Sequence, residues 1–131
     1  MASIFSRIIN GEIPSYKIAE DENYLAFLDI NPLAKGHTLV IPKKEVDNLF
    51  DLDEQLYVGL CLFAKKIAKA IEKTIPCAKV GVAVIGLEVP HAHIHLVPIN
   101  GVFDIDFQKP KLKFTQLEFT EIASYISSAL G

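Results

Sequence analysis

Residues 91–95 read His-Ala-His-Ile-His, and this alternation constrains the fold more tightly than any other stretch of the chain. On an extended backbone, successive side chains point to opposite faces. A strand over His91–Val97 therefore sends three imidazoles to one face and Ala92, Ile94 and Leu96 to the other. The apolar face needs a cover, and a long helix elsewhere in the chain can supply it.

That helix is predicted from Glu54 to Thr74, with Asp51 and Asp53 as candidate caps and Pro76 as the stop. Leu56, Leu60, Phe63, Ile67 and Ile71 form its sheet-facing stripe. The opposite side carries Val58, Cys61 and Leu62 in the first half but Lys65, Lys69 and Glu72 in the second. A helix end that is apolar all round needs a second partner, and a symmetric homodimer is the economical supplier. Cys61, inside this run, is expected to be a packed thiol.

Shorter elements complete the pattern. A helix over 5–11 ends at Gly11, and strands at Tyr16–Glu20 and Tyr24–Asp29 flank a hairpin turn. Further strands are predicted at His37–Ile41 and Lys79–Ile85. A last helix starts at Thr115, where Glu118 completes a capping box. The expected class is α+β with a mainly antiparallel sheet, in one domain spanning 1–131. Its core would cover about 4–98, followed by an extension over 99–131 that contains the last helix.

Net charge near −3 argues against a broad nucleic-acid-binding face, and no window is apolar for long enough to span a membrane. The first residues lack an export pattern, and Cys61 and Cys77 have no zinc-like or redox-like spacing. A reduced, cytoplasmic location is therefore expected.

Three chemistries use clustered histidines. They can be hydrogen-bonded structural groups, or they can bind zinc and leave an open position. They can also act on phosphorus without a metal: a neutral imidazole is a good nucleophile near pH 7, and its phosphoramidate product is hydrolysed by water. Neighbouring imidazoles then offset phosphoryl charge, protonate the leaving group or hold the tautomer of the nucleophile.

His91-Ala92-His93-Ile94-His95-Leu96-Val97 resembles the signature of the histidine-triad (HIT) family. The segments Ile4–Pro14, Ala26–Pro32 and Gly36–Lys44 are similar to the same family, so the resemblance covers about residues 4–98. It implies a five-stranded antiparallel sheet with helices, paired into a homodimer. It implies a hydrolase or transferase for purine nucleoside phosphoramidates, related anhydrides or dinucleoside polyphosphates, with no cofactor and no metal. His93 would attack the α-phosphorus, His95 would contact the phosphate and leaving group, and His91 and His37 would form a hydrogen-bond chain behind the nucleophile. Ile4, Phe5, Ile8, Phe27, Asp29 and Ile30 would line the nucleoside pocket, with Gly86 and Val89 on the phosphate side.

The sequence departs from the family pattern in the segment Val84–Pro90. Leu87 stands in place of a glutamine, no asparagine precedes it, and the loop is short. This departure favours the alternative of a non-catalytic nucleotide-binding module. Lys43 and Lys44 are expected to be solvated. Residues 99–113 match no motif; they could cover the site or reach a dimer mate.

Overall fold

Side-chain caps set where the helices begin. In the computed structural model, which describes residues 2–131, α1 (Ile4–Ile9) starts where Ser3 Oγ accepts the Ser6 N–H. Asp53 caps α2 (Glu54–Thr74) by accepting from the Leu56 N–H. Thr115 and Glu118 exchange bonds in a capping box at α3 (Gln116–Ser128). Asp51 is not a cap of α2; it lies in a short 3-10 turn at Leu49–Asp51.

The strands are β1 (Lys17–Glu20), β2 (Tyr24–Leu28), β3 (Thr38–Pro42), β4 (Lys79–Ala83) and β5 (Ile94–Ile99). They form one antiparallel sheet in the order β1-β2-β3-β5-β4. Asp21 Oδ1 accepts the Asn23 and Tyr24 N–H groups, which makes the β1–β2 turn.

The sheet has two different faces. Ala26, Val40, Ile94 and Leu96 pack with Leu60, Phe63, Ile67 and Ile71 of α2 and Phe119, Ile122 and Ile126 of α3. Full burial of Leu60, Ile67 or Ile71 is worth about 2 kcal/mol each. On the other face Leu25, Phe27, Leu39 and Ile41 pack against Phe5 and Ile8 of α1. The central strands β2 and β3 are therefore buried on both sides.

The outer side of α2 is open, with Val58 49% and Leu62 63% exposed. Cys61 lies there too and is exposed, not packed as expected. The stripe that faces the sheet leaves positions 58, 61 and 62 on the opposite side of the helix. Lys43 also differs from expectation, because its Nζ pairs with Glu20 Oε2 at 2.9 Å; Lys44 is exposed.

Close contact between α2 and β2 depends on Gly59. A Cβ there would overlap the Tyr24 hydroxyl and come within 2.8 Å of Tyr24 Cζ. That hydroxyl donates to the Leu56 carbonyl at 3.1 Å, so it is not free to move away. Gly59→Ala is expected to lower stability in urea unfolding by about 1–3 kcal/mol. Adding Tyr24→Phe should recover part of the loss. A gain in stability, as helix propensity alone would give, would contradict this packing.

Candidate active site

Gly36 directs the chain into the site. Its φ of 95° lies in the left-handed region, and an added Cβ would press on Ile75 at 3.0 Å. The turn leaves His37 just ahead of β3 with Nδ1 3.0 Å from the Leu33 N–H. An N–H only donates, so His37 Nδ1 is the acceptor and Nε2 carries the hydrogen. His37 Nε2 lies 3.0 Å from His95 Nδ1. His95 must accept there, which assigns its own hydrogen to Nε2.

His91 and His93 take their orientation from outside the sheet. β5 begins at Ile94, so a strand over His91–Val97 is corrected to Ile94–Ile99. The His91 N–H donates to Val89 O and the Ala92 N–H to Val46 O, which keeps both residues out of the ladder. Ala92, Ile94 and Leu96 still pack toward α2, as expected. His93 Nδ1 lies 2.7 Å from the His91 carbonyl. A carbonyl only accepts, so Nδ1 carries the hydrogen and Nε2 keeps the lone pair. His91 Nε2 donates in the same way to Pro42 O at 2.8 Å, and its Nδ1 accepts from Ser3 Oγ at 2.9 Å.

The four histidines thus form two branches. A hydrogen-bond chain joining His37 to His91 behind His93 is not formed: His37 bonds to His95, and His91 bonds to Ser3 and Pro42. The branches meet at the His93 and His95 rings, whose centroids are 4.9 Å apart. All four residues are buried. Among the described residues no buried side-chain nitrogen or oxygen lacks a partner. His93 Nε2 and His95 Nε2 have no such bond and therefore reach the surface: a lone pair beside a donor.

Burial holds the rings of His37, His91 and His95 neutral. It pushes His37 down to about 3, assisted by His95 and Lys111, and His95 down to about 4, assisted by His93. His91 is also lowered, chiefly by burial. Burial raises the Asp29 carboxyl above its ordinary range, against the Asn31 N–H that it accepts.

The residues expected around a nucleoside separate into two groups. Phe5, Ile8 and Phe27 are buried together, with Val89 packed against them. The Phe5 ring stands edge-on to Phe27 at 5.6 Å and to His93 at 5.0 Å. These residues form the floor under the histidines. Ile4, next to Phe5 in sequence, and Ile30, next to Asp29, are exposed. Asp29 Oδ1 starts a turn by accepting from Asn31 at 2.8 Å, while Oδ2 lies 3.6 Å from His37 Nε2. Gly86 has open space around it, and Leu87 and Glu88 point to solvent.

Within residues 99–113, Phe107 reaches the histidines. The Phe107 ring lies edge-on to His95 at 4.7 Å and to His37 at 6.1 Å. The segment is tied down by the Leu112 N–H donating to Pro32 O and by Lys111 Nζ on the Phe107 and Lys109 carbonyls. Phe107, Lys111 and Ser3 are site residues that the sequence did not single out. In the sequence, 99–113 is only a motif-free segment that could cover the site or reach a dimer mate.

Donor atoms of Asp29, His37 and His95 lie within 4.8 Å of one another, a grouping that could hold a metal ion. His37 Nε2 and His95 Nδ1 already satisfy each other, so an ion would have to displace that hydrogen bond.

The depressed histidines set a pH dependence of stability. The unfolded chain binds these protons at ordinary values near 6.5, before the folded chain does. The stabilisation is complete above that pH and is lost as pH falls toward 4 and then 3. Each histidine contributes up to about 1.4 kcal/mol per pH unit in this window. Urea unfolding is expected to show falling stability between about pH 6.5 and 5, with a flatter slope in His37→Asn/His95→Asn. An unchanged slope in that variant would contradict neutral burial of the pair.

Known proteins share this arrangement of chain and fold. The family model of the HIT domain matches residues 10–101. An uncharacterized HIT-like protein of Borreliella burgdorferi is 38% identical over 95% of each chain. A Schizosaccharomyces pombe protein named adenosine 5'-monophosphoramidase is 32% identical over 99% of each chain. A crystal structure of a Hit-like protein from Bartonella henselae superposes with a TM-score of 0.85 at 34% identity, covering 98% of this chain and 96% of that one. Triad, fold and relatives agree: this chain belongs to the histidine-triad (HIT) family.

Proposed function

We propose that the chain is a nucleotide hydrolase or transferase that cleaves purine nucleoside phosphoramidates, or related nucleoside phosphate anhydrides and dinucleoside polyphosphates, through a nucleotidyl group on His93. One observation carries the reading. The His91 carbonyl takes the Nδ1 hydrogen of His93 and leaves the Nε2 lone pair at the surface, next to the Nε2–H of His95.

With a phosphoramidate, His93 Nε2 attacks the α-phosphorus, an N–P bond forms, and the bond to the leaving nitrogen breaks. That nitrogen takes up a proton from solvent water and departs as an amine. The His93 ring gains positive charge as the bond forms, so its Nδ1–H bond to the His91 carbonyl becomes charge-assisted and strengthens. An interaction stronger in the transition state than in the ground state accelerates the step. His95 Nε2–H donates to the phosphoryl oxygens or the leaving group, where negative charge develops. Water then displaces Nε2 from phosphorus and releases the nucleoside monophosphate. Ile4 and Ile30 offer apolar surface to the base above the Phe5 floor, and Asp29 Oδ2 accepts from ribose hydroxyls. The name of the fission-yeast relative supports phosphoramidates as the first substrates to test.

The loop Val84–Pro90 favours a second reading, a nucleotide-binding module without turnover, because Leu87 offers no amide to the phosphate. Rapid-quench intact mass after mixing with adenosine phosphoramidate separates the two. The hydrolase reading expects an adduct of one nucleotidyl group, and a loss of turnover of about three orders of magnitude or more in His93→Ala. Nucleotide binding with neither adduct nor turnover would leave only the binding module.

The homodimer is proposed on the open side of α2 and on the sheet edge. Val58 and Leu62 are exposed on that helix, and Val82 is 64% exposed on the edge strand β4. Light scattering should give about twice the monomer mass, and Val58→Asp or Leu62→Asp should reduce it to one. A monomeric wild type would refute this use of the helix.

A further inference from the structure

The start of α1 is wired to the histidine cluster by more than its helix cap. Glu45, just beyond β3, accepts the Ser3 N–H at 2.6 Å and the Ser6 hydroxyl at 2.7 Å through the same Oε1. Ser3 Oγ accepts the Ser6 N–H at 3.1 Å. The proton on Ser3 Oγ then has two possible acceptors, Ser6 Oγ at 3.4 Å and His91 Nδ1 at 2.9 Å. The shorter bond goes to a nitrogen that can only accept, because His91 Nε2–H is committed to Pro42 O. Ser3 and His91 are both buried, so water cannot stand in for the hydroxyl.

We propose that Ser3 is a positioning residue for His93. Its hydroxyl proton, bonded to His91 Nδ1, pins the His91 ring between α1 and β3 and thereby fixes the carbonyl that holds His93 Nδ1–H. Two contacts extend the same constraint. Phe5, in the first turn of α1, stands edge-on to His91 at 5.8 Å and to His93 at 5.0 Å. The Ala92 N–H is held by Val46 O at 2.7 Å, one residue past Glu45. A displacement of α1 or of the Glu45 loop is therefore felt at the nucleophile's carbonyl partner. The kinetic consequence rests on the reading of His93 as nucleophile; the hydrogen-bond assignment does not.

Substitutions at Ser3 separate this role from helix capping. Ser3→Thr keeps both the cap and the proton. Ser3→Asp keeps a strong cap for the Ser6 N–H but has no proton to donate to His91 Nδ1. The measurements are side-chain nitrogen-15 NMR of His91 and His93, and the single-turnover rate of adduct formation with adenosine phosphoramidate. Ser3→Thr should match wild type in both. Ser3→Asp should convert His91 to a form protonated at Nδ1, move the His93 resonances and slow adduct formation by about tenfold to a hundredfold. Ser3→Ala, which adds no charge, should shift His91 Nδ1 through loss of its hydrogen bond and slow the reaction in the same direction. Wild-type His91 and His93 resonances in both Ser3→Asp and Ser3→Ala would overturn the proposal. If wild type forms no adduct, the nucleotidyl-transfer reading fails, and the NMR comparison still decides the role of Ser3.

Discussion

A backbone carbonyl can only accept, so the 2.7 Å contact from His93 Nδ1 to His91 O decides which nitrogen of His93 keeps a lone pair. The neighbouring assignments are equally one-way. The Leu33 N–H forces the His37 tautomer, His37 forces that of His95, and Pro42 O forces that of His91. Three of the four buried imidazoles are set by a backbone partner whose polarity cannot be reversed, His95 follows from His37, and two nitrogens are left at the surface with opposite roles. An acceptor and a donor side by side are what nucleophilic attack at a phosphoryl centre requires.

The fold exists around these bonds in a specific way. Because α2 and α3 cover one face of the sheet, the other face is free to carry Leu39, Phe27 and His95 side by side in register. The floor made by Phe5, Ile8 and Phe27 removes water from beneath the rings, and Phe107 covers His37 and His95 from the segment that follows β5. Low polarity keeps the His37, His91 and His95 imidazoles neutral and strengthens the few polar contacts that orient the cluster. The same burial couples stability to pH through His37 and His95.

Much of this was legible in the sequence where the signal is local. The stripe of α2, the Asp53 cap, the Thr115–Glu118 box and the hairpin at Asp21 each depend on residues within a few positions of one another. The triad was legible as a cluster, but its strand boundary was not. The residues that draw His91 and Ala92 out of the ladder include Val46, which is distant in sequence, and no alternation of side chains reports a backbone bond. Pairing of His37 with His95, not with His91, depends likewise on how β3 meets β5. Ser3, the cap of α1, shows its second role only when His91, 88 positions away, is placed beside it. Phe107 lies in a segment with no periodicity, so only the tertiary structure shows what it covers.

Nitrogen-15 NMR of the histidine side chains near pH 7 tests the central claim, that partner polarity sets the tautomer of each ring. The account predicts hydrogen on Nδ1 of His93 and on Nε2 of His37, His91 and His95. A wild-type His93 carrying its hydrogen on Nε2 would have no lone pair facing the site, and would contradict the account at its base.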